Sequence, residues 1–302
     1  MNRRDFIHST LLASLAFSIG SRKLLSVTPE KSEDLFTYET REFLKTLYEK
    51  AQKNNWRDMP FGDLVGTVGY EFLGTQYEAG TLEGKTEICR VLLDRLDCVT
   101  FFETSLAIAT QIMKQKYSVK DLILRVGYTR YRGGLEDGYL TRLHYTADWI
   151  HDNIQKGIIY DVTEELGGEE YVPNVSFMSK NPNYYPPLKE NPELVEEIEK
   201  IELDINSRNY YYIPKDKVEM IEPMLMTGDI IAITTPIEGL DYGHVGMIYK
   251  IEDDTARFLH ASSEQKKVVL DDTISKYLAR NKRQTGITVL RPTYSCPLDV
   301  EE

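Results

Sequence analysis

Residues 93–114 read LDRLDCVTFFETSLAIATQIMK, and the rest of the chain is best organised around this stretch. Val99, Phe102, Leu106, Ala109 and Met113 step by 3, 4, 3 and 4 residues, the spacing of one apolar helix face. Asp97 is a strong N-cap residue type, so the helix is predicted to begin at Cys98. A thiol in the first turn lies at the positive end of the helix dipole, which favours the thiolate. The unpaired N–H groups there also suit the oxyanion of a tetrahedral intermediate. The alternative is a buried, inert cysteine, which is the reading given to Cys89 and Cys296 unless they pair in an oxidising compartment.

Working outward, residues 32–55 carry a helical pattern of Leu35, Phe43, Leu44, Leu47 and Ala51 between charges. Residues 60–86 are rich in Gly and aromatics and read as a short helix and loops, and Ile88 to Leu93 reads as β-like. The stretch 120–225 mixes helical segments near 141–155 and 193–203 with loops at 181–187 and 209–214. From Gly228 the texture turns to β, in the runs GDIIAITT, GHVGMIYKI, ARFLHASS, KKVVLDD and QTGITVLRP. Successive short strands with short turns favour an antiparallel meander over βαβ units. The fold class is therefore α+β, with no internal repeat.

The 302 residues include 36 Lys+Arg against 48 Asp+Glu, a net charge of −12 that repels nucleic acid and anionic lipid. Three cysteines in a chain of this size make no disulfide framework. The opening MNRRDFIHSTLLASLAFSIGSRK resembles a twin-arginine export signal, with Arg3-Arg4 ahead of a modest apolar run. Residues 1–27 are read as that leader and the destination as the periplasm. Residues 28–302 are read as a single domain with a helical extension (about 30–60) and an insertion (about 120–225). After the leader no apolar run reaches membrane-span length.

Five histidines are present, and two of them fall in the strand region. His244 and His260 are 16 residues apart, so they share a sheet face if their hairpin loop has an odd length, such as Asp253-Asp254-Thr255. His260 would then orient the ring of His244, and an imidazole is the partner that a nucleophilic thiol needs. Zinc chemistry lacks spaced ligands and H-E-x-x-H, and a serine hydrolase lacks G-x-S-x-G.

The run FLGTQYEAGTLEG followed by LDCVTFFE resembles the NlpC-type, papain-like cell-wall cysteine hydrolases. GHVGMIYKI and FLHASS are similar to that family's base strand and to the strand carrying its third polar residue. Gln76, Thr81 and Val99-Thr100 depart from its usual pattern, and with YRGGLEDGYLTRLHYTADWI (131–150) they resemble its N-acetylmuramoyl-L-alanine amidase-like branch. The resemblance implies an NlpC-type fold, with the nucleophile at a helix start packed on an antiparallel sheet. It also implies Cys98 as nucleophile, His244 as base, His260 as orienting residue and Tyr77 at the oxyanion. It implies no metal or cofactor, and cleavage of the amide between the lactyl group of muramic acid and L-Ala in peptidoglycan, by a monomer. A γ-D-glutamyl–diamino acid endopeptidase and a non-catalytic wall-binding module are the competing readings.

Residues 131–150 also gather Arg132, Arg142, His144, Tyr145, Asp148 and Trp149 in an acidic chain, the residue types of a peptide- and sugar-binding wall. Arg142, Tyr145 and Trp149 are spaced to share a helix face. Their other reading is a core Trp and an Arg paired to Asp.

Overall fold

The computed structural model describes residues 28–251 and 254–294. Residues 1–27, read above as a leader, residues 252–253 and Cys296 lie outside the described residues. The chain forms a mixed α+β fold around a curled sheet. Its strands are β1 (Gln76–Tyr77), β2 (Arg95–Leu96), β3 (Ile159–Asp161), β4 (Glu169–Tyr171), β5 (Tyr210–Pro214), β6 (Ile230–Thr234), β7 (Tyr242–Lys250), β8 (Ala256–Ser262), β9 (Lys267–Thr273) and β10 (Gly286–Pro292). They run in the order β2-β1-β9-β8-β7-β6-β10-β5-β4, with β3 also on β10.

All five expected C-terminal strands form. Only β6 to β9 make a meander, because the helix Ile274–Arg280 intervenes and carries β10 back beside β6. The 209–214 loop is instead β5, which buries Tyr210 and Ile213 and pairs with β10 and β4. Residues 88–93 belong to no strand. They bury Cys89, Val91 and Leu93 in alternation, which mimics a strand pattern without a pairing partner. The N-terminal helical stretch is two helices, Pro29–Glu33 and Tyr38–Lys53.

The sheet carries an apolar layer on each face. Val245, Met247, Leu259 and Ala261 face the helices Phe61–Tyr70 and Cys98–Lys114. Ile248 and Phe258 belong to the second layer, closed by Ile274 and Leu278 of the short helix. Strand alternation of period two assigns neighbouring residues to opposite layers.

The Cys98 helix begins where expected. Asp97 Oδ1 accepts from Val99 N at 3.1 Å and Thr100 N at 2.8 Å, while Thr100 Oγ1 accepts from Asp97 N at 2.9 Å, a complete capping box. Asp97→Ala is expected to cost about 1–2 kcal/mol, read as a lower urea midpoint with an unchanged slope.

Candidate active site

The Ile248 N–H bonds Asp229 O at 2.8 Å on the β6 side. Alternation along β7 therefore turns the N–H groups of Met247 and Val245 toward β8. The β7–β8 ladder runs from Lys250↔Ala256 only to Met247↔Leu259, which leaves Val245 N–H beyond its end. The Cys98 sulfur lies against that N–H, with the N–H groups of Cys98 and Val99 also turned to it. The first helical turn is thus seated on the strand next to His244.

His244 Nε2 and His260 Nδ1 are 2.8 Å apart with the rings nearly perpendicular. The strands pair so that five residues, 251–255, separate Lys250 from Ala256. The odd parity is as expected, although the hairpin is centred one residue earlier than the Asp253–Thr255 turn. Continuing this register puts Gly246 opposite His260, where a Cβ would come within 2.7 Å of His260 Cβ and 2.5 Å of Phe258 Cε2. The missing side chain makes room for the His260 ring.

Sequence reasoning missed three residues that support this pair. Asp271 Oδ2 lies 3.6 Å from His260 Nε2, an electrostatic contact longer than a hydrogen bond. Arg280 Nη2 holds Asp271 Oδ1 at 2.5 Å. Burial alone would raise the Asp271 pKa, but the bonds from Arg280 and the Asp272 N–H hold it below the usual carboxylate range. Tyr277 stacks against His244 at 6.2 Å between ring centroids. The KVVLDD run contained Asp271, but only the β8–β9 pairing shows which side chain faces His260.

The network assigns the tautomers. Asp271 favours a proton on His260 Nε2, so His260 Nδ1 accepts from His244 Nε2–H. The bare nitrogen of His244 is then Nδ1. Burial pushes His244 down to about 3, with His260 adding to it, and burial pushes His260 down to about 4 against the pull of Asp271. Both rings are neutral at pH 7.

The expected low-pKa thiol is corrected. Burial, then the nearby Asp97 carboxylate, pushes Cys98 up to about 12, while the N–H groups of Val245, Cys98 and Val99 act the other way. The carboxylate that caps the helix also repels the thiolate. Cys98 and His244 each keep some exposure, which tempers the effect of burial. The Tyr77 hydroxyl, half-buried, is pushed up to about 12 by burial, then by the nearby Cys98 and Asp97. The structure thus brings Tyr77 to the same cluster. Cys89 is buried in the core, in accord with its structural reading.

A cavity of about 270 Å³ opens beside the helix start, lined by Asp97, Val99 and Tyr242 and by the segment expected to bind substrate. Arg142, His144, Tyr145 and Trp149 line it. They do so without sharing a helix face, because the helix starts only at Thr146 and Tyr145 is its N-cap. Trp149 Nε1 donates to Glu103 Oε1 at 3.0 Å and Tyr145 Oη to Glu202 Oε1 at 2.6 Å, so both rings are fixed walls. His144 Nε2 meets Tyr139 O at 2.8 Å, and burial, then Arg142, lowers its pKa to about 3. Arg132 and Asp148 are not among the lining residues. They form a two-point ion pair at 2.7 and 3.1 Å that Arg208 closes at 2.9 Å. Here the Arg–Asp structural reading holds.

Among the described residues no group of three or more His, Cys, Asp or Glu could hold a metal ion, and no helix is long and apolar enough to cross a membrane.

The site thus sets a helix that starts at a cysteine against a strand whose imidazole is bonded to a second on the next strand, within an α+β fold. Residues 67–287 match the N-acetylmuramoyl-L-alanine amidase-like (AmiA-like) family, and the chain belongs to it. Among solved structures it is similar to an N-acetylmuramoyl-L-alanine amidase from Bacteroides uniformis, with 35% identity and a TM-score of 0.73 over 77% of this chain and 99% of that one. A Bacteroides fragilis protein provisionally described as a xylanase has 38% identity and a TM-score of 0.69 over 74% of this chain and 99% of that one. A Legionella pneumophila protein at 21% identity and a TM-score of 0.62, over 87% of this chain and 96% of that one, shares the fold. No curated protein matches the sequence.

The lowered imidazoles make stability depend on pH. The unfolded chain takes up these protons near pH 6.5, whereas the folded chain refuses one at His260 until about pH 4. The contribution is therefore complete above about pH 6.5 and is lost as pH falls toward 4. Between pH 7 and 5 the unfolding free energy is expected to drop, with about 2 kcal/mol of the drop missing in His260→Asn, as read from urea titrations at both pH values.

Proposed function

We propose that the chain is an exported, cofactor-free cysteine amidase of NlpC-type architecture. It cleaves the amide between the muramic acid lactyl group and L-Ala in peptidoglycan or its fragments. The observation that carries this reading is the seat of the Cys98 sulfur on Val245 N–H, one residue from an imidazole bonded to a second imidazole.

At rest the proton stays on sulfur, because burial disfavours both the thiolate and the imidazolium. As sulfur attacks the lactyl carbonyl carbon, His244 Nδ1 takes the thiol proton, and His260 with Asp271 behind it stabilises the charged ring. The first-turn N–H groups and the Tyr77 hydroxyl are the donors for the tetrahedral oxyanion. His244 returns its proton to the departing L-Ala amine, leaving a lactyl thioester. Water activated by the same nitrogen then hydrolyses this thioester to the free acid and thiol.

A glycosidase needs two carboxyl groups free to act across a sugar. Here Asp97 is committed to the helix cap, Glu103 to Arg130 and Trp149, and Asp241 to the N–H groups of Ala147 and Tyr242. The xylanase description of one relative therefore does not extend to this chain's cavity.

Mass spectrometry of defined muropeptides tests the proposal. Free sugar acid plus a peptide beginning at L-Ala is the expected product pair, whereas a shortened peptide still attached to sugar would mean endopeptidase action. Cys98→Ala and His244→Ala are expected to lower turnover by about a thousandfold or more with the fold intact, and His260→Ala by less. Near wild-type turnover by Cys98→Ala would overturn the mechanism.

A further inference from the structure

Arg142 has more counter-charge than it needs. Its side chain is 4% exposed and lines the cavity beside Cys98. Nη2 donates to Glu83 Oε1 at 2.7 Å, and Nε faces Glu87 Oε1 at 3.6 Å without a hydrogen bond. The two carboxylates differ in kind. Glu87 is 12% exposed and accepts from the buried Tyr131 hydroxyl at 2.7 Å, so it is a fixed counter-ion. Glu83 is 38% exposed and sits on the irregular connection between β1 and β2, at the cavity wall. One fixed carboxylate neutralises one guanidinium, so the second can be replaced at little electrostatic cost. The cavity's other cation, Arg130, is already committed to Glu103 and to the Arg90 carbonyl.

We propose that Arg142 is a carboxylate subsite that selects stem peptides by the free α-carboxylate of D-Glu, with Glu83 as the placeholder that this carboxylate displaces. The identity of the ligand rests on the peptidoglycan reading above. In such stems D-Glu follows L-Ala and is linked onward through its γ-carboxyl, so its α-carboxyl lies one residue from the bond to be cut. The cavity that holds Arg142 begins at Asp97 and Val99, the two neighbours of Cys98. With Nε facing the fixed Glu87, the displaceable contact is the one from Nη2 to Glu83, and an incoming carboxylate regains there the charge-assisted bond that a carboxamide cannot match. The site thereby distinguishes acidic from amidated stems.

The test is calorimetric binding of two tripeptides, L-Ala-γ-D-Glu-L-Lys and its D-Glu α-carboxamide, to the full chain carrying Cys98→Ala. The acid is expected to bind about tenfold or more tightly than the amide. Adding Arg142→Gln should abolish that preference. Adding Glu83→Gln, an exposed change that leaves the fold intact, should tighten the acid alone and widen the ratio. Equal binding of acid and amide, no binding of the acid, or a ratio unmoved by Glu83→Gln would overturn the inference. Muropeptide turnover by the wild type decides the amidase reading independently, because the binding ratio needs no chemistry.

Discussion

The architecture depends on how strand β7 is shared among three neighbours. One face of it packs Val245 and Met247 against the Cys98 helix, and the other carries His244 over Gly246 toward His260. The ladder to β8 stops at Met247, so the backbone N–H of Val245 lies beyond its end. A buried unpaired N–H is costly, and here a sulfur at the first residue of a capped helix satisfies it. The same local break in pairing therefore supports the thiol at the residue that follows His244.

The electrostatics of this arrangement favour neutrality at rest. Burial lifts the thiol and depresses both rings, and the capping Asp97 adds to the first effect. Asp271, held by Arg280, lies against His260 and bears on His244 through it. A charge that appears on His244 during a reaction thus meets a prepared acceptor chain, whereas in the empty site nothing draws the proton from sulfur. The cavity follows a similar rule, since its carboxylates are bonded internally and the exposed Glu83 is the member most easily displaced.

Much of this was legible in the sequence because it depends on local rules. The N-cap at Asp97, the 3–4 spacing after it, the five β-rich runs and the even separation of His244 and His260 all survive in the structure. What failed depends on long-range pairing. Residues 88–93 have strand-like alternation but no strand to join, while Tyr210–Pro214 looked like a loop until β10 and β4 supplied its neighbours. Asp271, Arg280 and Tyr277 were invisible as site residues because the β9 register and a short helix bring them to His260. Arg132 and Arg142 were indistinguishable in sequence, and only their partners separate a structural ion pair from a cavity wall. The thiol's raised pKa was missed because helix-dipole reasoning leaves out burial and the cap's own charge.

The proposed mechanism requires a bare Nδ1 on His244, which follows when its Nε2–H is donated to His260. Nitrogen NMR of ¹⁵N-histidine-labelled protein at pH 7 reads this directly. The account predicts that His244 and His260 are both neutral Nε2–H tautomers. A proton on His244 Nδ1, or an imidazolium at His244 in the empty enzyme, would contradict it.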